Sequence, residues 1–246
     1  MADQSETILF CLPFAGSSAY SYRAFQSYTD DFLRIVAIDL PGRGRRFCEP
    51  LLRNLNAMAD DAFNQIRQRL DGGAYAVYGH SMGSWIAYLL VKRILRDGYP
   101  PPRHLFVSGR PSPSVPGKEK DWHRLPRTDF LKILKRFGGT PIEVIANQEL
   151  MELFEPVLRA DFQALADYIH EKSEPLGVPM TVLWGRDENV TRAEALSWQE
   201  QTTKDFSFLE FSGGHFFIFQ HAAEIVGIFS RAVAAVCANA ACHGAL

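Results

Sequence analysis

Cysteine is scarce and unclustered in this chain. The four residues Cys11, Cys48, Cys237 and Cys242 form no CxxC pair and no ligand-like cluster with histidine, which argues against a metal site and a disulfide framework. Cys11 reads as a strand-core residue and the others as free thiols. Long apolar runs are also missing: none approaches the roughly 20 residues that span a bilayer. The opening Met1-Ala2-Asp3-Gln4-Ser5-Glu6 is acidic and polar, the wrong chemistry for a signal-peptide start. Neither sign of charge dominates. A net charge of −2 gives no global field for nucleic acid or an anionic membrane surface. What remains is ordinary globular material, 246 residues with 47% hydrophobic and 22% charged. At that length one α/β domain buries a full core, with room for an inserted subdomain. The expectation is a soluble cytoplasmic protein without a metal or cofactor.

The informative stretch is Ala74-Tyr75-Ala76-Val77-Tyr78-Gly79-His80-Ser81-Met82-Gly83-Ser84-Trp85-Ile86-Ala87. A Tyr/Val run of strand type ends at Gly79. Met82, Trp85, Ile86, Leu89 and Leu90 then recur at one-face helical spacing. Gly79-His80-Ser81-Met82-Gly83 is therefore a G-x-S-x-G placed between strand and helix, the context of a nucleophile elbow. Small residues let the two backbones pass closely. The helix N-terminus behind the serine favours a developing anion.

The strand Thr7–Leu12 is apolar throughout, as a strand buried on both faces should be. It runs into Pro13-Phe14-Ala15-Gly16-Ser17-Ser18-Ala19, a small-residue loop where an α/β-hydrolase takes its second oxyanion donor. Leu33–Ile38 reads as the next strand and Leu55–Leu70 as a helix. Between them Arg43, Arg45 and Arg46 make a small basic knob. Two readings stay open for it, a solvated face or a docking point for an anionic partner. His104–Gly109 is a further strand, so the first half has the alternation of a parallel α/β sheet. The rhythm breaks from Arg110 to about Pro175, where helical stretches at 128–137 and 148–170 surround Gly138-Gly139-Thr140-Pro141. Residues 111–175 are expected to form a helical lid on a core of 1–110 and 176–246, excluding water and shaping a pocket. Strands resume at Met180–Trp184 and Phe206–Phe211, and a last helix is expected over 216–238 with a frayed tail from Cys242.

Ser81, Asp187 and His215 each follow an expected strand and occur in the order nucleophile, acid, base. All three should reach one edge of one sheet, with His215 on a loop after two glycines. His215 would take the Ser81 proton while Asp187 orients the imidazole. The backbone N–H groups of Met82 and of Ala15, or its neighbour Phe14, would hold the oxyanion. Phe14, His80 and Phe216 are candidates to line the substrate site.

With these residues in hand, the sequence resembles the type II thioesterases, stand-alone α/β-hydrolases that accompany nonribosomal peptide and polyketide synthases. The matching segments are Leu12-Pro13-Phe14-Ala15-Gly16, Asp39-Leu40-Pro41-Gly42-Arg43, Gly79–Gly83, Gly138-Gly139-Thr140-Pro141, Leu158-Arg159-Ala160-Asp161-Phe162, Gly185-Arg186-Asp187 and Gly213-Gly214-His215-Phe216-Phe217. The Gly-Gly-Thr-Pro and Leu-Arg-Ala-Asp-Phe segments discriminate most, because generic lipases and esterases lack them. The resemblance implies Ser81, Asp187 and His215 as the triad, with Met82 and Ala15 as oxyanion donors. It also implies hydrolysis of acyl groups from the phosphopantetheine thiol of an acyl or peptidyl carrier protein, as an editing step. The chain departs from the family at Ser17, where a second glycine is usual. It departs again at Glu188, where proline often follows the acid; this puts a second carboxylate nearby. A carrier protein is usually acidic, which gives Arg43, Arg45 and Arg46 a possible partner. The chain is expected to act as a monomer. An acyltransferase, a cyclase or a product-releasing esterase would use the same triad, and a non-catalytic acyl binder would have no need of the base.

Overall fold

The apolar strands make sense once their two faces are separated. In the computed structural model, which describes residues 6–70, 73–117 and 121–243 with side chains through 234, strand β1 (Thr7–Leu12) points Phe10 and Leu12 into one core and Leu9 and Cys11 into another. Strand β3 (Tyr75–His80) divides likewise, Tyr75 and Val77 on one side, Ala76 and Tyr78 on the other. A sheet covered on both faces needs apolar residues at every position rather than at alternate ones.

The remaining strands are β2 (Leu33–Ala37), β4 (Leu105–Ser108), β5 (Met180–Gly185) and β6 (Phe206–Phe211). They join one six-stranded sheet in the order β2-β1-β3-β4-β5-β6, and every pairing is parallel. The helices in chain order are α1 (Arg23–Gln26), α2 (Leu55–Ile66), α3 (Met82–Arg96), α4 (Arg127–Phe137), α5 (Ile142–Ala146), α6 (Gln148–Ala166), α7 (Arg192–Leu196), α8 (Phe217–Gln220) and α9 (Ala222–His243). Helices α2 and α3 share the first core with residues of α4 and α6, while α1 and α9 contribute to the second. Among the described residues between β4 and β5 none belongs to a strand, and Phe130, Leu134, Met151, Leu158 and Phe162 of that segment join the main core. The helical insertion is thus packed onto the sheet domain rather than hung from it.

Some boundaries differ from the sequence reading. The C-terminal helix is two, because the chain turns at His221, whose ring nitrogen sits 3.1 Å from Ser212 Oγ. The helix then continues to His243, past Cys242. Residues 1–5 and 244–246, and the side chains of Cys237 and Cys242, lie outside the described residues. Cys11 is a fully buried free thiol, as expected of a strand-core residue, and Cys48 is a free thiol at the surface. Among the described residues no helix is long and apolar enough to cross a membrane.

Order along the sheet decides where a ligand can sit. The chain leaves β1 for β2 on one side and returns to β3 on the other. The loops after β1 and β3 therefore part at the carboxyl edge and leave a crevice there. Ala15 and Ser81 stand on those two loops.

One buried imidazole ties stability to pH. His104 precedes β4, stacks on Phe106 at 4.3 Å and places Nε2 2.8 Å from Thr181 Oγ1. Burial pushes its pKa down to about 4, whereas an exposed histidine titrates near about 6.5. Between those values the unfolded chain binds a proton that the folded chain does not, so stability falls as pH falls through the window. The loss attributable to His104 is at most about 3 kcal/mol. Urea unfolding of wild type and His104→Gln should show the gap between them shrinking from pH 7 to pH 4.5. Parallel stability profiles would contradict the assignment.

Candidate active site

Ser81 occupies the junction of β3 and α3 with φ 54° and ψ −121°, a region that L-residues rarely adopt and that costs on the order of 1–3 kcal/mol. Space explains the flanking glycines. A Cβ at Gly79 would lie 2.0 Å from the Gly83 carbonyl oxygen, and one at Gly83 would lie 2.5 Å from that of Leu12. The turn is pinned to the neighbouring strand, for the Ser81 N–H donates to the Ser108 carbonyl at 2.8 Å. The Ser84 hydroxyl, one helical turn further, shares its proton between the carbonyls of Gly79 and Ser108, at 2.9 and 2.8 Å.

His215 meets the serine, with Nε2 3.0 Å from Ser81 Oγ. Its other nitrogen lies 3.1 Å from Glu188 Oε2. The Glu188 side chain is fully buried, and its second oxygen accepts the Gly185 N–H at 3.1 Å. A carboxylate facing Nδ1 requires the proton there, which leaves Nε2 free to accept from the serine hydroxyl.

The carboxylate that meets the imidazole is thus Glu188 and not the expected Asp187. Asp187 is exposed and does not face the imidazole. Its Oδ2 accepts the Gly213 N–H at 3.1 Å, while its own N–H donates to the Gly213 carbonyl at 3.1 Å. Asp187 thus fastens the turn after β5 to the loop that carries His215. Adjacent residues on a tight turn point different ways, and here the longer glutamate faces inward. The signal available in the sequence was Glu188 itself, a carboxylate where the family pattern has proline.

The other expected residues divide. Phe14, Ala15 and Phe216 line the same cavity as Ser81 and His215. His80 does not. It is fully buried, its ring 4.9 Å from that of His215, with Nδ1 2.9 Å from Ser108 Oγ. Burial, then the neighbouring His215, pushes its pKa well down, so it forms a neutral floor under His215. Gly109 closes that floor, since a Cβ there would lie 2.4 Å from His80 Cε1 and 3.2 Å from His215 Cε1. Met82 is the first residue of α3, and a first-turn N–H has no partner within its helix.

The cavity holds about 570 Å³, within the range of small-ligand sites. The helical insertion supplies its apolar wall through Trp122, Leu134, Phe137, Leu158, Phe162 and Leu165. Phe137 stands edge-on to the His215 ring at 5.7 Å. Gly139 packs against the cavity-lining Phe216, where a Cβ would lie 2.3 Å from Phe216 Cζ.

The basic knob is largely consumed by structure. Arg43 is buried against Asp161. Arg46 pairs with Asp61 and Glu49, both at 2.6 Å. Arg45 alone of the three extends into solvent, at 86% exposure. The three arginines do not form a free cationic surface.

A parallel sheet with a strained serine after β3, a histidine after β6 and a buried carboxylate after β5 defines an α/β-hydrolase. Residues 7–233 match the thioesterase domain family model, and the chain belongs to that family. It is 35% identical to the gramicidin S biosynthesis protein GrsT of Aneurinibacillus migulanus, over 89% of this chain and 85% of that one. It is 31% identical to the thioesterase PikA5 of Streptomyces venezuelae, over 88% and 77% of the two chains. Among solved structures, ClbQ from the colibactin NRPS/PKS pathway superposes with a TM-score of 0.88 at 32% identity, covering 94% of this chain and 98% of that one. The type II thioesterase BorB from the borrelidin cluster gives 0.85 at 31% identity, with 94% of each chain covered.

The elbow geometry generates a direct test. Gly83→Ala sets a methyl against a backbone carbonyl that no side-chain rotation relieves, and should cost about 1–3 kcal/mol of stability. Urea midpoints measure this, and a change within experimental error would show that the elbow is looser than described.

Proposed function

We propose that the protein is a type II thioesterase that clears acyl groups from the phosphopantetheine thiol of carrier proteins. The observation that carries this reading is the continuous line Ser81–His215–Glu188 opening into a cavity walled by the helical insertion. The names of the relatives support the pathway class: GrsT is a gramicidin S biosynthesis protein, and ClbQ and BorB belong to colibactin and borrelidin biosynthesis.

In this reading Ser81 Oγ attacks the thioester carbonyl as its proton passes to His215 Nε2, and Glu188 stabilises the resulting imidazolium. The tetrahedral oxyanion is held by the backbone N–H groups of Met82 and Ala15, an arrangement in which one donor is typically worth about 2.7–4 kcal/mol. The C–S bond then breaks, His215 returns its proton to the departing thiolate, and Ser81 is left acylated. Water attacks that ester, giving its proton to His215. The second collapse releases the acid and restores the Ser81 hydroxyl. Residues 111–175 act as the lid, and their apolar side chains hold the acyl chain while limiting water. Asp187 serves by positioning the His215 loop.

Two experiments follow. Acyl-loaded carrier protein incubated with wild type should lose the acyl mass in intact-protein mass spectrometry and keep it with Ser81→Ala. Carriers that stay loaded, while small free thioesters are cleaved, would show the carrier assignment to be wrong. Separately, Glu188→Gln should lower kcat by about 10²–10⁴-fold, the range for losing a positioned acid or base. Asp187→Asn keeps an acceptor for the Gly213 N–H and should stay within about tenfold of wild type. The reverse ranking, on free thioester, would return the acid's role to Asp187.

A further inference from the structure

The oxyanion loop is not held by its own strand alone. Ser17 N–H donates to the Phe14 carbonyl at 3.0 Å, closing a turn with Ala15 and Gly16 at its centre. Gly16 has φ +75°, which a type II turn demands of its third residue. The Gly16 N–H leaves the turn and donates to Asp161 Oδ2 at 2.8 Å. Asp161 sits on α6, 145 residues away and fully buried. Both its oxygens also accept from Arg43, each at 2.7 Å, as a two-pronged pair. Arg43 is 4% exposed and sends Nη1 to within 3.5 Å of the Ser17 carbonyl as well. The loop's far end is fixed by a second carboxylate, since Asp39 accepts the Ala19 N–H at 2.7 Å. One turn before Asp161, Leu158 presses on the same glycine, where a Cβ would lie 2.5 Å from Leu158 Cδ2.

We propose that Asp161 and Arg43 are positioning residues for the oxyanion site, making a helix of the insertion part of the catalytic apparatus. In a turn, the direction of one amide is set by the peptide planes beside it. Anchoring the Gly16 N–H fixes the plane that follows Ala15, and the Phe14–Ser17 hydrogen bond fixes the turn as a whole. The Ala15 N–H is then aimed without help from substrate, as preorganised stabilisation requires. The anchor is buried and charged, so a shift of α6 that parts the pair while either partner stays buried leaves an uncompensated charge and is strongly opposed. Helix α6 is therefore a fixed member of the site, and any opening of the cavity belongs to the α4–α5 side. This inference rests on the reading of Ser81 as nucleophile with Ala15 as an oxyanion donor.

The test separates positioning from stability. Replacing both partners of a buried ion pair by apolar residues of similar size often preserves stability, so the double variant Asp161→Leu with Arg43→Met removes the Gly16 anchor without leaving a buried charge. Arg43→Lys, which keeps the charge but loses the fork, is measured in parallel. The probes are a short acyl thioester for kcat and KM, and an alkylboronic acid, which forms an anionic tetrahedral adduct with an activated serine. Wild type should bind the boronic acid and Ser81→Ala should not; failure there defeats the reading of Ser81, not the anchor. In the folded double variant kcat should fall about 10–100-fold with KM within about threefold, part of the effect of removing an oxyanion donor outright. The boronic acid inhibition constant should rise by the same factor as kcat/KM falls. Arg43→Lys should show a smaller change of the same pattern. Unaltered boronic acid affinity in either folded variant, or a loss confined to KM, overturns the proposal and leaves the pair a scaffold contact.

Discussion

The conformation of Ser81 is the constraint on which the rest depends. A side chain at φ 54° and ψ −121° is held there only if its surroundings leave no alternative. Those surroundings are assembled from distant parts of the chain. Gly83 passes the end of β1, the Ser81 N–H and the Ser84 hydroxyl are tied to the end of β4, and Gly79 packs under the helix it precedes. The parallel order of β1, β3 and β4 is what brings these backbones within reach. Fold and nucleophile are consequently one problem: a sheet that did not close around the elbow would let Ser81 relax and carry Oγ out of the crevice.

A second layer of order surrounds the histidine. His215 lies between a neutral His80 below and Phe137 edge-on to it, and only 15% of its side chain is exposed. The ring is thereby shielded on two sides while its two nitrogens remain committed, one to Ser81 and one to Glu188. Low local polarity strengthens both hydrogen bonds and raises the cost of leaving either unmade. The insertion contributes through specific residues. Leu158 and Phe162 wall the cavity, and Asp161 reaches the loop after β1. Arg159, from the same short segment, donates to the carbonyls of His123 and Leu125. A five-residue motif thus joins the pocket, the loop beside it and the loop before α4.

Much of this was legible in the sequence, for identifiable reasons. Apolar runs of strand length, the G-x-S-x-G between a strand and a helix, and a histidine after two glycines are local patterns whose meaning does not depend on remote contacts. The helical segment between β4 and β5 was legible as an interruption of the strand–helix rhythm. Three features were not. The choice between Asp187 and Glu188 turns on which side chain of a tight turn faces inward, and adjacent carboxylates carry no periodic signal. Arg43 looked like part of a surface knob with Arg45 and Arg46 because its partner, Asp161, is 118 residues away. His80 stands beside Ser81 in the sequence, but its ring is buried beneath His215. Each miss concerns side-chain direction or a remote partner, which only the assembled fold supplies.

The measurement that bears most directly on the account is peptide mapping of the protein after reaction with a fluorophosphonate. The geometry predicts a single phosphonyl adduct, on Ser81, whose formation is abolished in His215→Ala. An adduct on another residue, such as Ser84 or Ser108, or continued thioester hydrolysis by a protein that the reagent leaves unlabelled, would contradict the account.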